Sequence, residues 1–110
     1  MEFLGDVYVK LGRFEDALIV CQEVYDLTKQ KLGPNHNGTL KVLHNLCSVY
    51  FLKRDYVNTI THLKIYIESA KKLYGANDIR VINASSFLVI SARKALLSMK
   101  EREDSITMQK

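Results

Sequence analysis

Tryptophan is absent from this 110-residue chain and proline occurs once, so long helices are permitted and extended irregular loops are disfavoured. There are only two cysteines, Cys21 and Cys47, and their separation fits neither a disulfide framework nor a zinc-ligand pattern. No stretch reaches the roughly 18 consecutive apolar residues expected of a membrane helix. The start, Met1-Glu2-Phe3-Leu4-Gly5-Asp6, is acidic and unlike a secretory signal. A cytoplasmic protein with no membrane span is therefore expected. In that compartment the glycosylation triplets at Asn37-Gly38-Thr39 and Asn83-Ala84-Ser85 are chance matches. Charge of one sign is also scarce. Lys and Arg total 16 against 12 Asp and Glu, a net +4, and the signs alternate along the chain as on a solvated surface.

Self-similarity dominates what remains. An offset of 42 positions carries Leu4 onto Leu46, Tyr8 onto Tyr50, Phe14 onto Tyr56, Asp16 onto Asn58, Leu18 onto Ile60 and Gly33 onto Gly75. The same offset carries Leu40 onto Ile82 and Leu46 onto Leu88 without a gap. Between these marks, apolar residues recur at steps of three and four. Examples are Phe14, Ala17, Leu18, Cys21 and Val24, then Leu40, Leu43, Leu46 and Val49, then Tyr56, Ile60, Leu63 and Ile67. That period puts one apolar stripe on each α-helix. Gly12, Gly33 and Gly75 suit helix ends, and Asp55 and Asp78 suit helix starts. The spacing predicts an all-α chain with helices over about 2–11, 14–32, 39–53, 56–74 and 79–99. The helical domain spans 1–100, with repeats over about 1–36, 37–78 and a partial 79–100, followed by a polar flexible tail over 101–110.

These residues resemble the tetratricopeptide repeat. Leu4-Gly5-x-x-Tyr8, followed by Gly12-Arg13-Phe14-Glu15-Asp16-Ala17, follows that family's pattern, and Leu46-Cys47-x-x-Tyr50 with Asp55-Tyr56 repeats it loosely. The period exceeds the usual 34 of the family. The long second helix and the Leu32-Gly33-Pro34-Asn35-His36 turn are similar to the long-repeat subgroup typified by kinesin light chains. The resemblance implies antiparallel helical hairpins stacked as a right-handed solenoid of about two and a half repeats.

It also implies a protein-binding scaffold or adaptor with no catalytic activity, which holds a peptide or partner domain in a concave groove lined by the first helix of each repeat. Position by position, that face would carry Glu2, Asp6, Val9 and Lys10 from the first helix. The second repeat would contribute Lys41, His44, Asn45, Ser48 and Phe51, and the third Asn83, Ser86, Phe87, Ile90 and Lys94. Some members grip chain-terminal carboxylates with Lys, Asn and Arg. Glu2, Asp6 and Phe87 stand at those places here and would repel or ignore a carboxylate. Each polar group also has a structural reading. Asn45 could bond a neighbouring backbone group, and Phe51 could pack between repeats.

No cofactor or metal is expected. His44 and Cys47 share a helix face without further ligands nearby, and Ser48 near His44 lacks an orienting acid. A nucleic-acid-associated or regulatory helical domain using Lys29, Lys31, Lys71, Lys72, Arg93 and Lys94 is the alternative function. The last helix carries Val81, Ile82, Phe87, Leu88, Val89, Ile90, Leu96 and Leu97 around much of its circumference, too apolar for the polar outer face of a terminal helix. The array continues in a longer chain, or a second copy or partner covers this helix, or the patch is simply tolerated.

Overall fold

The computed structural model describes residues 4–108, with side chains over 7–103. Five helices follow one another: α1 (Leu4–Lys10), α2 (Phe14–Leu32), α3 (Asn37–Leu52), α4 (Tyr56–Tyr74) and α5 (Ile79–Met108). Each packs on the next, so the chain is a linear stack of antiparallel hairpins. Its radius of gyration of 15.7 Å exceeds the roughly 13 Å of a compact domain of similar size, as a stack that grows in one direction requires.

The turns repeat as closely as the helices. After α1, Gly12 N–H donates to the Val9 carbonyl at 3.0 Å and Arg13 N–H to Tyr8 at 2.8 Å. After α3, Arg54 donates to Phe51 at 3.0 Å and Asp55 to Tyr50 at 2.9 Å. Gly12 has φ +75° and Arg54 φ +69°, so the arginine holds a left-handed backbone where the preceding repeat has glycine. The longer turns match too: Gly33 donates to Lys29 at 2.9 Å and Gly75 to Lys71 at 3.0 Å.

The caps explain where the helices start. Asp55 accepts from the Asn58 backbone N–H at 3.3 Å and from its side-chain amide at 2.6 Å, opening α4. His36 Nδ1 accepts from Gly38 N–H at 2.9 Å, so α3 begins at Asn37, two residues before the expected start. Thr39 is fully buried and its hydroxyl donates to the Gly33 carbonyl at 2.7 Å, tying α3 to the turn that precedes it.

The core runs between α2, α3 and α4. Ala17, Leu46, Cys47, Leu63 and Ala70 are completely enclosed, and Leu40 and Leu43 nearly so. Each buried leucine side chain contributes about 2 kcal/mol of apolar burial. Repeat-related positions share environments: Ala17 and Thr59 are both fully buried, as are Cys21 and Leu63.

One sequence expectation is corrected at α5. The helix does not end near residue 99 but runs to Met108, through the segment read as a flexible tail. Lys100-Glu101-Arg102-Glu103 is polar but made of good helix formers, with no glycine or proline to stop it. In addition, Ile79–Glu103 is long and apolar enough to cross a membrane by length and composition, because no charge falls between Val81 and Ala92. In the fold this segment lies along α4, burying Val81, Ala84 and Ser91.

Candidate functional site

On α3, residues 41, 44, 45, 48, 51 and 52 follow helical spacing along the side away from the α2 contact. Residues 83, 86, 87, 90 and 94 do the same on α5. Phe87 bridges the two helices. Its ring meets Phe51 edge-on at 5.1 Å and His44 at 6.2 Å. His44 in turn lies 5.6 Å from Tyr66 of α4, and Phe51 lies 5.6 Å from Tyr56. The result is a continuous aromatic row, Tyr66–His44–Phe87–Phe51–Tyr56, with the Lys94 ammonium 5.9 Å above the Phe51 ring. Edge-to-face contacts of this kind contribute roughly 0.5–1.5 kcal/mol each beyond simple burial.

Two depressions flank that row. One, of about 450 Å³, lies between the later turns of α3 and the earlier turns of α5 and is walled by Ser48, Phe51, Leu52, Asn83, Ser86, Phe87 and Ile90. Six of the fourteen residues expected on the binding face meet there. Leu52 was missed, although its place four residues after Ser48 puts it on the same side. The second depression, of about 580 Å³, is lined by Asn37, Gly38, Leu40, Lys41, His44, Tyr66, Tyr74 and Arg80. Only Lys41 and His44 of that set were expected. Tyr66 comes from the middle of α4, and Tyr74 and Arg80 from the two sides of the α4–α5 turn. There Arg80 donates two hydrogen bonds to the Asp78 carboxylate, at 2.8 and 2.9 Å, and lies 3.4 Å over the Tyr74 ring. The Arg80 guanidinium holds the Asp78 carboxyl down to about 2.

The other expected residues separate by position. Glu2 lies outside the described residues, as does the side chain of Asp6. Val9 is half-buried against the core and Lys10 is exposed at the end of α1; neither lines a depression described here. Asn45 is half-buried, and its amide makes no hydrogen bond among the described residues. Phe51 packs edge-on against Phe87 and also walls the depression.

Ser48 donates its hydroxyl to the His44 carbonyl at 3.1 Å, one turn back along the same helix. Burial against the neighbouring rings lowers the His44 pKa, so the imidazole is neutral at pH 7. Burial pushes the Cys47 thiol up to about 12, which makes it a small apolar core group. Among the described residues, no three of His, Cys, Asp and Glu converge as metal ligands do. The basic residues of the alternative reading fall on three helices. Lys29 and Lys31 end α2 and Lys71 and Lys72 end α4, where cations complement the helix dipole, while Arg93 and Lys94 lie mid-way along α5.

A sequence model described as tetratricopeptide repeat matches residues 1–56. Two Arabidopsis thaliana proteins are similar. Protein KINESIN LIGHT CHAIN-RELATED 3 is 28% identical over 108 residues, covering 96% of this chain and 16% of its own length. Protein KINESIN LIGHT CHAIN-RELATED 2 is 30% identical over 71 residues, covering 64% of this chain and 10% of its own length. The chain thus spans no more than about a sixth of either relative.

Proposed function

Because this chain belongs to the tetratricopeptide repeat family, with repeats of the kinesin light chain type, we propose that it is a non-catalytic adaptor module that holds a segment of another protein along the α3–α5 groove. Repeats of this family generally mediate protein–protein interaction. The observation that supports the groove is the depression between Ser48, Phe51, Leu52, Phe87 and Ile90, where apolar and aromatic walls stand beside the small polar Asn83 and Ser86. Aromatic walls supply most of the affinity in such contacts. Rigid helices present them preformed, so little conformational entropy is lost on binding. The amide of Asn45, which makes no hydrogen bond among the described residues, adds donors and an acceptor suited to an extended backbone.

The test uses a library of random 12-residue peptides displayed on phage and selected against the full chain. Enriched peptides should carry an aromatic or branched aliphatic anchor. Their affinity should fall about 10–100-fold in Ile90→Asp, an exposed position that leaves the fold intact, and at least as far in Phe51→Ala. Peptides that bind both variants as tightly as the parent would remove the groove from the proposal.

A further inference from the structure

The depression of about 580 Å³ is where two successive repeats begin their first helices. Asn37 and Gly38 open α3 and Arg80 lies in the first turn of α5, so the positive ends of two helix dipoles meet at one opening. None of the residues lining it is acidic. Lys41 is exposed there and forms no ion pair among the described residues. Arg80 is fixed from two sides: Asp78 accepts from its Nε and Nη2, and the guanidinium lies 3.4 Å over the Tyr74 ring. The Nη1 edge is spent on neither. Tyr66 is only 7% exposed, yet its hydroxyl makes no hydrogen bond among the described residues. No buried side-chain oxygen there lacks a partner, so that hydroxyl reaches solvent at the wall of the depression. Burial raises the Tyr66 pKa, so the phenol keeps its proton and donates. The fold does not demand this set. The 42-residue offset carries Tyr66, Tyr74, Asp78 and Arg80 back onto Val24, Leu32, His36 and Gly38, and the earlier turn closes with the same glycine bond without any of the four.

We propose that this depression takes the phosphate of a phosphorylated side chain on the guest peptide. The inference rests on the reading of the α3–α5 face as a peptide groove and names a chemical group its guest carries. Donors come from three helices: the Lys41 ammonium from α3, the Tyr66 hydroxyl from α4 and the Nη1 edge of Arg80 from α5. A carboxylate has two oxygens, and the Asp78 carboxylate already occupies one edge of the guanidinium with them. A phosphate monoester brings three terminal oxygens and about −1.5 to −2 charge at pH 7, which engages all three donors at once. Its position relative to the rest of the guest follows from α3. Lys41 precedes Ser48, on the wall of the apolar depression, by seven residues, an axial rise of about 10 Å. An extended peptide covers that in about three residues, so the phosphate lies about three residues from the aromatic or aliphatic anchor.

Synthetic bead libraries of random peptides with a fixed central phosphoserine, phosphotyrosine, serine or glutamate, selected against the full chain, test the proposal. The best binders should come from a phosphorylated library, which also tells serine from tyrosine as the carrier, and should hold their anchor about three residues from the phosphate. Their affinity should fall about 10–100-fold on dephosphorylation and about 10-fold or more when glutamate replaces the phosphorylated residue. Tyr66→Phe, which removes only the hydroxyl, and Lys41→Ala and Arg80→Ala, both at exposed sites, should each weaken the phosphorylated peptide about 5–10-fold and leave its unphosphorylated counterpart unchanged. Lys72→Ala, an exposed cation outside the depression, should change neither. Every variant should keep the helical circular dichroism spectrum of the parent. Serine peptides that bind through Phe51 and gain nothing from phosphate overturn this inference and leave the groove standing. Failure of all the libraries removes the groove and the phosphate site together. Glutamate peptides that match the phosphorylated ones overturn it, as does inorganic phosphate bound as tightly as the peptide. So does a phosphopeptide indifferent to both Tyr66→Phe and Arg80→Ala.

Discussion

Arg54 should be replaceable by glycine with a gain in stability. Its backbone sits at φ +69°, in the region that costs a residue bearing a Cβ about 1–2 kcal/mol relative to the right-handed one. Glycine removes that cost but adds unfolded-chain entropy worth roughly 0.5–1 kcal/mol. The Arg54 side chain is exposed and forms no ion pair among the described residues, so little else is lost. The net expectation for Arg54→Gly is a stabilisation of about 0.5–1 kcal/mol, which for a domain of this size raises the thermal midpoint by about 2–8 °C. The same reasoning gives the opposite sign at Gly75, whose φ of +96° and ψ of 153° belong to a region essentially reserved for glycine. A Cβ built there would touch nothing within 4 Å, so the cost of Gly75→Ala is purely conformational, about 1–3 kcal/mol. Thermal and urea unfolding followed by circular dichroism measure both. A lower midpoint for Arg54→Gly, or an unchanged one for Gly75→Ala, would refute the argument that the turns are limited by backbone conformation.

Two further outcomes follow from the titrating groups Cys47 and His44 of α3. Cys47 is fully enclosed and its thiol is pushed up to about 12, so it should resist alkylation by iodoacetamide at pH 8 and react only when urea opens the α3–α4 contact. Rapid labelling in the absence of denaturant would contradict the enclosure. His44 has its pKa lowered by burial, so the folded state favours the neutral ring. That contribution is present above the unfolded value of about 6.5 and is lost as pH falls through the lowered folded value. Stability should therefore decline more steeply between pH 7 and 5 in the parent than in His44→Phe, as read from urea midpoints. Equal slopes would place the imidazole in free solvent.

How much could be read beforehand differs from element to element. The limits of α2 and α4 were legible because each is bracketed by residues with a local role: Gly12 and Gly33 around the first, Asp55 and Gly75 around the second. The end of α5 was not, because a polar segment looks like a tail whether or not its residues favour helix, and here they do. Pairings that follow the repeat offset were also accessible, and Ser48, Phe51, Asn83, Ser86, Phe87 and Ile90 converge as that offset implies. The second depression was hidden. Arg80 lines it together with Tyr74, over whose ring its guanidinium lies after the α4–α5 turn, a contact that no helical period encodes.

The aromatic row has a mechanical consequence. Phe87 is the hinge pin by which α5 leans on α3, and it also walls the depression offered to a guest. Filling that space therefore braces the last helix against the rest of the stack, so that occupancy and stiffness rise together. Amide exchange along α5 would slow whenever the cleft is full, even at residues the guest never touches.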